Sequence, residues 1–462
     1  MHKVIFDGKI LYASDGTLLS ELLMKEGASR EHPCGGKGLC GKCTVQVNGK
    51  KELSCKYVIK SDILVEGEKY GGIFSETHSE ESGKMTDNLC FALDIGTTTL
   101  ALALVSLDEK RIVRVKTRTN PQRKFGADIM SRTEYCMHHS VKALQEVLIS
   151  EVNSMISDFS VETDMLYVTG NTVMLHLFFG IDCSSIGTYP YTPVFLSGKT
   201  EDAEKLSLKG VKTVISFPGI SSFVGADIVS GLNLTASPEE GKYNLLVDLG
   251  TNAEIVLYGK DSLLCTAAAA GPCFEGANIS SGMSATDGAV YSYSKGKIRT
   301  ISDVPARGIC GTGLIDVMAE LLTNGIIDET GYMENEEFEI AEGVSILRDD
   351  VRQYQLAKSA ICSAIFCLIK EMDISYEEID KMYISGGFSG KINIENAVKT
   401  GLLPKELSEK CVPLGNSSLL GAVKYIYENN DLLQYINKAS YIDLSSDELF
   451  SELFIENMMF EE

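Results

Sequence analysis

The chain has no apolar run long enough to cross a membrane. Its longest, 360–369 and 263–270, fall far short of the ~20 residues that a spanning helix needs. Its opening residues, MHKVIFDGKI, lack the apolar core of a secretory leader. Positive charge is scarce too. Lys and Arg number 42 against 64 Asp and Glu, a net charge of −22, which argues against nucleic acid or an anionic membrane as a partner. The deficit is uneven: residues 1–72 hold 11 basic and 9 acidic side chains, the remainder 31 and 55. A solvated acidic surface accounts for this, and so would two halves that dock to different partners. A P-loop is also missing. Ser197-Gly198-Lys199-Thr200 ends like one, but Pro193 stands where the first glycine belongs. A cytoplasmic protein is expected, in which thirteen cysteines are thiols or metal ligands rather than disulfides.

What is present divides into unlike parts. Residues 3–12 alternate around Asp7-Gly8 as a hairpin, 17–26 carry apolar residues at helical spacing, and 44–48 and 56–65 read as short strands. A compact domain over 1–70 is expected, with the layout of a β-grasp. Residues 71–88 are rich in Gly, Ser, Glu and Thr without periodicity and read as a flexible linker. From 89 onward strands and helices alternate. FALDIGTTTLALALVS (91–106) and LLVDLGTNAEIVLYG (245–259) are near-copies, which predicts one α/β unit duplicated as 89–240 and 241–430 around a cleft. Residues 431–462, with eight acidic residues and one lysine, read as an acidic helical extension.

Cys34, Cys40, Cys43 and Cys55 fall at C-x5-C-x2-C-x11-C, with four glycines among residues 35–41. Four thiolates satisfy the two irons of a [2Fe–2S] cluster, and glycines let a loop curl with its N–H groups toward a negative cluster. Zinc is the alternative, although ribbons that hold it use two C-x2-C knuckles and here there is one. Over residues 1–70 this order resembles the plant-type and adrenodoxin-type ferredoxins, with a fourth cysteine that comes much earlier. Cys362 and Cys367, in an apolar helical run, read as core; Cys273 and Cys310, in Gly-rich loops, read as packing.

Phosphate chemistry then falls to glycine turns. Asp94-Ile95-Gly96-Thr97-Thr98-Thr99 and Asp248-Leu249-Gly250-Thr251-Asn252 each follow a strand, with N–H groups and hydroxyls to cradle phosphates and a carboxylate to hold Mg²⁺ through water. Gly386, Gly387 and Phe388 follow a third strand and could admit an adenosine. One such turn alone is weak, since tight turns need these residues anyway. The matched pair resembles the phosphate-1, phosphate-2 and adenosine motifs of the superfamily of acetate kinase, sugar kinases, heat-shock chaperone ATPases and actin, over about 90–425. That resemblance implies a ribonuclease H-like, actin-like ATPase. Gly311-Thr312-Gly313 opens a helix and could meet phosphate or ribose; it is similar to a segment of the 2-hydroxyacyl-CoA dehydratase activators. Asp227 is a candidate for orienting the attacking water, or simply a helix-start carboxylate.

A [2Fe–2S] domain fused to this ATPase resembles the reductive activators of corrinoid proteins, as do segments 169–179, 270–283 and 439–459. The resemblance implies ATP-driven reduction of Co(II) corrinoid to Co(I), with the corrinoid carried by a partner from a methyltransferase system, since the chain has no Asp-x-His-x-x-Gly motif of its own. The chain is expected to lack the extra domain that longer members carry between ferredoxin and ATPase. The electron donor is left unnamed and a homodimer left open. Activation of another low-potential enzyme, such as a 2-hydroxyacyl-CoA dehydratase, is the alternative, and a small-molecule kinase with an unrelated redox sensor a third reading.

Overall fold

The computed structural model describes residues 1–6, 9–25, 43–66, 88–387 and 389–460. Strands His2–Phe6 and Lys9–Ala13 pair antiparallel with Phe6 opposite Lys9, and Ile63–Glu66 pairs parallel to the first. Thr44–Val47 and Lys50–Leu53 form a second hairpin. The five strands make one mixed sheet. The period-2 positions Val4, Phe6, Leu11, Ala13, Val45, Val47, Ile63 and Val65 bury one face, against helix residues Leu19, Leu22 and Leu23. The strand Lys50–Leu53 was not expected, because Lys-Lys-Glu carries no apolar alternation. Its signal is the turn: Asn48 and Gly49 both have positive φ (50° and 78°), the two-residue connection that suits a twisted hairpin. Only the end of the expected strand 56–65 is extended, at Ile63–Glu66. The linker at 71–88 lies, apart from Asn88, outside the described residues.

Beyond it stand two six-stranded sheets with the same central order. In the first, Leu89–Ile95 pairs antiparallel with Thr99–Ser106, which pairs antiparallel with Arg111–Thr119. On its other side run Met165–Gly170 and then Thr213–Ser216, both parallel. In the second, Tyr243–Leu249, Ala253–Tyr258 and Leu263–Ala268 repeat the antiparallel run, and Ile379–Ser385 and Cys411–Gly415 the parallel one. Only the edges differ: Thr200–Asp202 borders the first sheet, Ala439–Tyr441 the second. The strands that carry Asp94 and Asp248 lie mid-sheet and read as continuous apolar runs because both faces are covered.

Two helices tie the sheets together. Ala226–Leu234 leads out of the first half, and Ser417–Glu428 follows the last parallel strand of the second yet buries Leu419, Ala422 and Val423 in the first half's core. They cross at backbone distance. Ser230 Oγ donates to the Ser418 carbonyl (2.6 Å) and Asn233 Nδ2 to the Gly421 carbonyl (3.0 Å). Gly421 has no room for a side chain, since a Cβ there would lie 1.8 Å from the Ser230 carbonyl oxygen.

Residues 431–462, expected as an acidic helical extension, instead form helix Leu433–Ile436, the edge strand Ala439–Tyr441 and helix Glu448–Glu456. Asp447 Oδ1 accepts from Phe450 N (2.7 Å) and so starts a new helix. The end of the chain docks on the 24-residue helix Arg348–Glu371, where Gln355 Nε2 donates to the Met458 carbonyl (2.8 Å). Cys362 and Cys367 are buried in that same helix.

The helix crossing generates a prediction with a reversed sign. At an open helical site alanine is better than glycine by about 1 kcal/mol. Gly421→Ala is expected instead to cost about 1–3 kcal/mol, by overpacking a backbone carbonyl. A thermal melt of the full chain checks it, and an unchanged or raised Tm would remove the close crossing.

Candidate functional site

The two aspartate turns face one cleft. Each aspartate is the penultimate residue of its strand, and a tight hairpin follows. Gly96 N donates to the Thr99 carbonyl (3.0 Å), while Gly250 N donates to the Asn252 carbonyl (3.1 Å), a loop one residue shorter. A glycine on the neighbouring parallel strand backs each turn. Gly170 has φ 155° and would press a Cβ to 2.8 Å from the Ile95 carbonyl oxygen; Gly386 has φ 112° and would press one to 2.2 Å from that of Leu249. Both positions require glycine.

The aspartates are fixed by donors that the sequence reading missed. Asp94 accepts from Asn416 Nδ2 (2.8 Å) and Ser418 Oγ (2.9 Å). Asp248 accepts from Ser385 Oγ (2.7 Å), whose hydroxyl lies 2.6 Å from that of Ser417. Three consecutive residues, Asn416-Ser417-Ser418, thus serve both halves while capping the crossing helix, where Asn416 Oδ1 accepts from Leu419 N (2.8 Å). An Asn-Ser-Ser string before an apolar helical run is a legible cap, but nothing in it reports which carboxylates it meets.

Asp227 is brought to the same cleft. It lies in the first turn of Ala226–Leu234, where its own carboxylate also accepts from Ile228 N (3.0 Å). Burial, then the charges of Asp248 and Asp94, push its carboxyl up to about 8. Burial raises Asp94 to about 6, with Asn416 and Ser418 pulling it down and Asp248 adding to the rise. Asp248 is raised by burial and eased by Ser385. Glu254 completes the set. It stands directly opposite Asp248 in the hairpin register, and burial together with Asp227, Asp248 and Glu275 lifts it well above the usual carboxylate range. In the first hairpin the residue opposite Asp94 is Ala101. Among the described residues no three His, Cys, Asp or Glu side chains stand close enough to hold a metal ion between them.

The threonines of the turns converge. Thr98 Oγ1 (2.9 Å) and Thr251 Oγ1 (2.8 Å) both donate to Glu275 Oε2, one from each half. Thr97 Oγ1 accepts from Asn171 Nδ2 (3.1 Å), and its carbonyl accepts from Arg132 Nη2 (2.6 Å). Arg132 is fully buried, and burial pulls its guanidinium down to about 9. Gly311, Thr312 and Gly313 are also buried. A Cβ on Gly311 would meet the Phe274 carbonyl oxygen at 2.4 Å and one on Gly313 that of Val290 at 2.0 Å, so these glycines seat the helix start behind the Phe274-Glu275 segment. Gly387 borders open space, with nothing within 4 Å of the place of a Cβ. Phe388 lies outside the described residues.

Of the four cysteines, Cys34 and Cys40 lie outside the described residues. Cys43 and Cys55 are buried beside the second N-terminal hairpin, with sulfurs 3.2 Å apart and no disulfide between them. Ser54 N donates to the Cys43 carbonyl (3.0 Å) and keeps the two stretches in register. Cys273 and Cys310 are buried, and burial pushes both thiols up, as packing residues require. Among the described residues no helix is long and apolar enough to cross a membrane.

The crowding of carboxylates fixes a pH dependence. Asp227 and Asp94 hold their protons to higher pH folded than unfolded, so stability falls as pH rises from about 4 toward about 8. In metal-free, nucleotide-free protein, Asp227→Asn is expected to raise Tm more at pH 8 than at pH 5. A pH-independent difference would remove the raised Asp227 carboxyl, which burial and then the neighbouring carboxylates produce.

Comparison with known proteins places this geometry. Residues 89–237 match the family model described as the RACo middle region, and 242–462 the C-terminal domain of RACo, the ASKHA domain. The chain is 30% identical over 422 residues to a corrinoid activation enzyme, RamQ, of Eubacterium limosum, covering 80% of this chain and 70% of that one. It is 27% identical over 410 residues to the [Co(II) methylated amine-specific corrinoid protein] reductase of Methanosarcina barkeri, covering 79% and 75%. A solved reductive activator for a corrinoid, iron-sulfur protein superposes with a TM-score of 0.74 at 27% identity, over 100% of this chain and 98% of that one. The chain belongs to the RACo family of reductive activators of corrinoid proteins, with an actin-like ATPase fold at its C-terminal end.

Proposed function

We propose that this chain is an ATP-dependent corrinoid reductase, returning the inactive Co(II) corrinoid of a partner protein to Co(I). The reading rests on one conjunction: paired, buried cysteine sulfurs in the N-terminal unit and two aspartate turns around a cleft in the same chain. On this reading the N-terminal sheet is a β-grasp ferredoxin domain, and the two like-ordered sheets are a duplicated ribonuclease H-like unit.

Cys43 and Cys55 have the chemistry and the proximity that an iron–sulfur cluster asks for, and Cys34 and Cys40 complete the set by sequence. When bound, a [2Fe–2S] cluster supplies a one-electron store at low potential. In the cleft, Gly96, Thr97, Thr98, Gly250, Thr251 and Asn252 would present N–H and hydroxyl donors to the phosphates. Gly386, Gly387 and Phe388 would admit the adenosine, and the helix start at Gly311, Thr312 and Gly313 would face phosphate or ribose from behind the Phe274-Glu275 segment. Asp94 and Asp248 would hold Mg²⁺ through water, as this ion prefers, and the ion supplies charge neutralisation at the phosphate oxygens. Asp227 would orient the attacking water. The partner is a corrinoid protein of a methyltransferase system, and a separate low-potential donor reloads the N-terminal unit.

The ATPase has a thermodynamic task. Each ~100 mV that one electron climbs costs about 2.3 kcal/mol. Nucleotide can offset this only through contacts with the partner that differ between cleft states.

The deciding experiment incubates the chain with Co(II) corrinoid protein, a chemical reductant and ATP while Co(I) absorbance is followed. Co(I) is expected only with all components present. Asp94→Ala and Asp248→Ala should each remove most ATP hydrolysis and Co(I) formation while leaving the visible cluster spectrum intact. Cys43→Ala should abolish that spectrum and Co(I) formation together. Zinc in place of iron after anaerobic preparation, or wild-type turnover in both aspartate variants, would sink this assignment.

A further inference from the structure

Glu275 is the only place among the described residues where the tips of both turns meet on one atom. Its Oε2 accepts from Thr98 Oγ1 and from Thr251 Oγ1. These are hydroxyls that a phosphate oxygen between the turns would take. The location also suits an anion for a second reason: the buried Arg132 guanidinium, bonded to the Thr97 carbonyl, acts on Glu275 electrostatically. A carboxylate therefore sits where donors from two halves converge, with the Arg132 guanidinium acting on it from one side and Glu254 as a like-charged neighbour.

Its backbone gives it a defined seat. Glu275 ends the short turn Pro272–Glu275 between Gly271 and Gly276, whose φ values are 78° and 79°. On the Gly276 side the segment is packed tightly, since a Cβ there would lie 2.4 Å from Met283 N; on the Gly271 side nothing lies within 4 Å. The turn is clamped at one end and has room at the other.

We infer that Glu275 is a positioning residue that holds the phosphate's place in the nucleotide-free cleft, tying the two turns together until a phosphate group displaces it. The inference rests on the nucleotide reading above. Displacement exchanges two hydroxyl–carboxylate hydrogen bonds for two hydroxyl–phosphate ones. The freed carboxylate, now beside a polyanion, turns away or onto a cation. Glu275 thus lowers the affinity for phosphates, and this distinguishes it from a residue that grips them. It also lets each half sense occupancy, because both turns lose the same partner at once.

The test is calorimetric titration of the full chain with ATP, ADP and adenosine, with Mg²⁺ and again in EDTA, for wild type, Glu275→Ala and Glu275→Gln. Losing one acceptor shared by two hydroxyls corresponds to ATP and ADP binding on the order of tenfold tighter in Glu275→Ala. Glu275→Gln, which keeps an acceptor but not the charge, should fall between that and wild type. Adenosine, having no phosphate to compete, should bind all three alike. Should Glu275→Ala fail to fold, judged by its thermal melt, Glu275→Gln carries the same sign. Unchanged or weaker ATP binding in the folded variants overturns the inference. Weakening confined to the Mg²⁺ titrations assigns Glu275 to the metal and overturns it as well. Wild type that binds no ATP at all overturns the nucleotide reading itself, and the inference with it.

Discussion

Asp94 and Asp248 arrive in one cleft from two separate sheets, and like charges so placed repel. What lets them stay is a shared set of donors on the Asn416-Ser417-Ser418 turn, which reaches Asp94 directly and Asp248 through Ser385. That turn also starts the helix that crosses Ala226–Leu234, which carries Asp227. The hydrogen bonds that position the carboxylates and the backbone contacts that join the halves are therefore one unit. A shift of the crossing helices moves the donors of both aspartates, and a change in what the aspartates hold bears on the crossing. Buried polar networks of this kind leave little tolerance for a missing member.

The two halves build their turns by the same device and then depart from it. In each, a glycine of the adjacent parallel strand, Gly170 or Gly386, lets the backbone close on the carbonyl that follows the aspartate. The departures lie in what surrounds the turns. Asn171 and Arg132 brace the first, whereas the second has Glu254 opposite its aspartate where the first has Ala101. The excess of negative charge is thus on the second half's side of the cleft. On the proposed reading a triphosphate with its cation would lie between a braced turn and a carboxylate-rich one, and the asymmetry would give the ligand a direction.

How much of this could be read beforehand follows from range. Local features were legible: the aspartate turns, the alternation of the N-terminal strands and the strand that leads to Ser385-Gly386 all encode themselves within a few residues. The Asn48-Gly49 hairpin was equally local, but it was hidden behind a charged strand, Lys50–Leu53, whose partners rather than its own pattern make it extended. Glu275 could not be placed from sequence, because its role depends on hydroxyls 177 and 24 residues away. Glu254 was within reach, since a hairpin with Asp248 at one end of its register sets a partner on the same face. The acidic count of the C-terminal residues suggested a helix, while Asp447 as a cap and the edge strand Ala439–Tyr441 broke it up.

The cleft's charge carries a consequence for its chemistry. With Asp227 pushed up to about 8 and Asp94 to about 6, the empty site at neutral pH favours a proton on Asp227 while Asp94 is mostly ionised. On the proposed reading a divalent cation arriving with the phosphates would favour the ionised forms, so its binding would expel protons and tighten as pH rises. A group that is to orient water must be ionised to accept its proton, and Asp227 reaches that state more readily once the cation is present. On the proposed reading Asp227 would be held neutral in the empty site, first by burial and then by the charges of Asp248 and Asp94, the two carboxylates that Asn416, Ser418 and Ser385 hold in place.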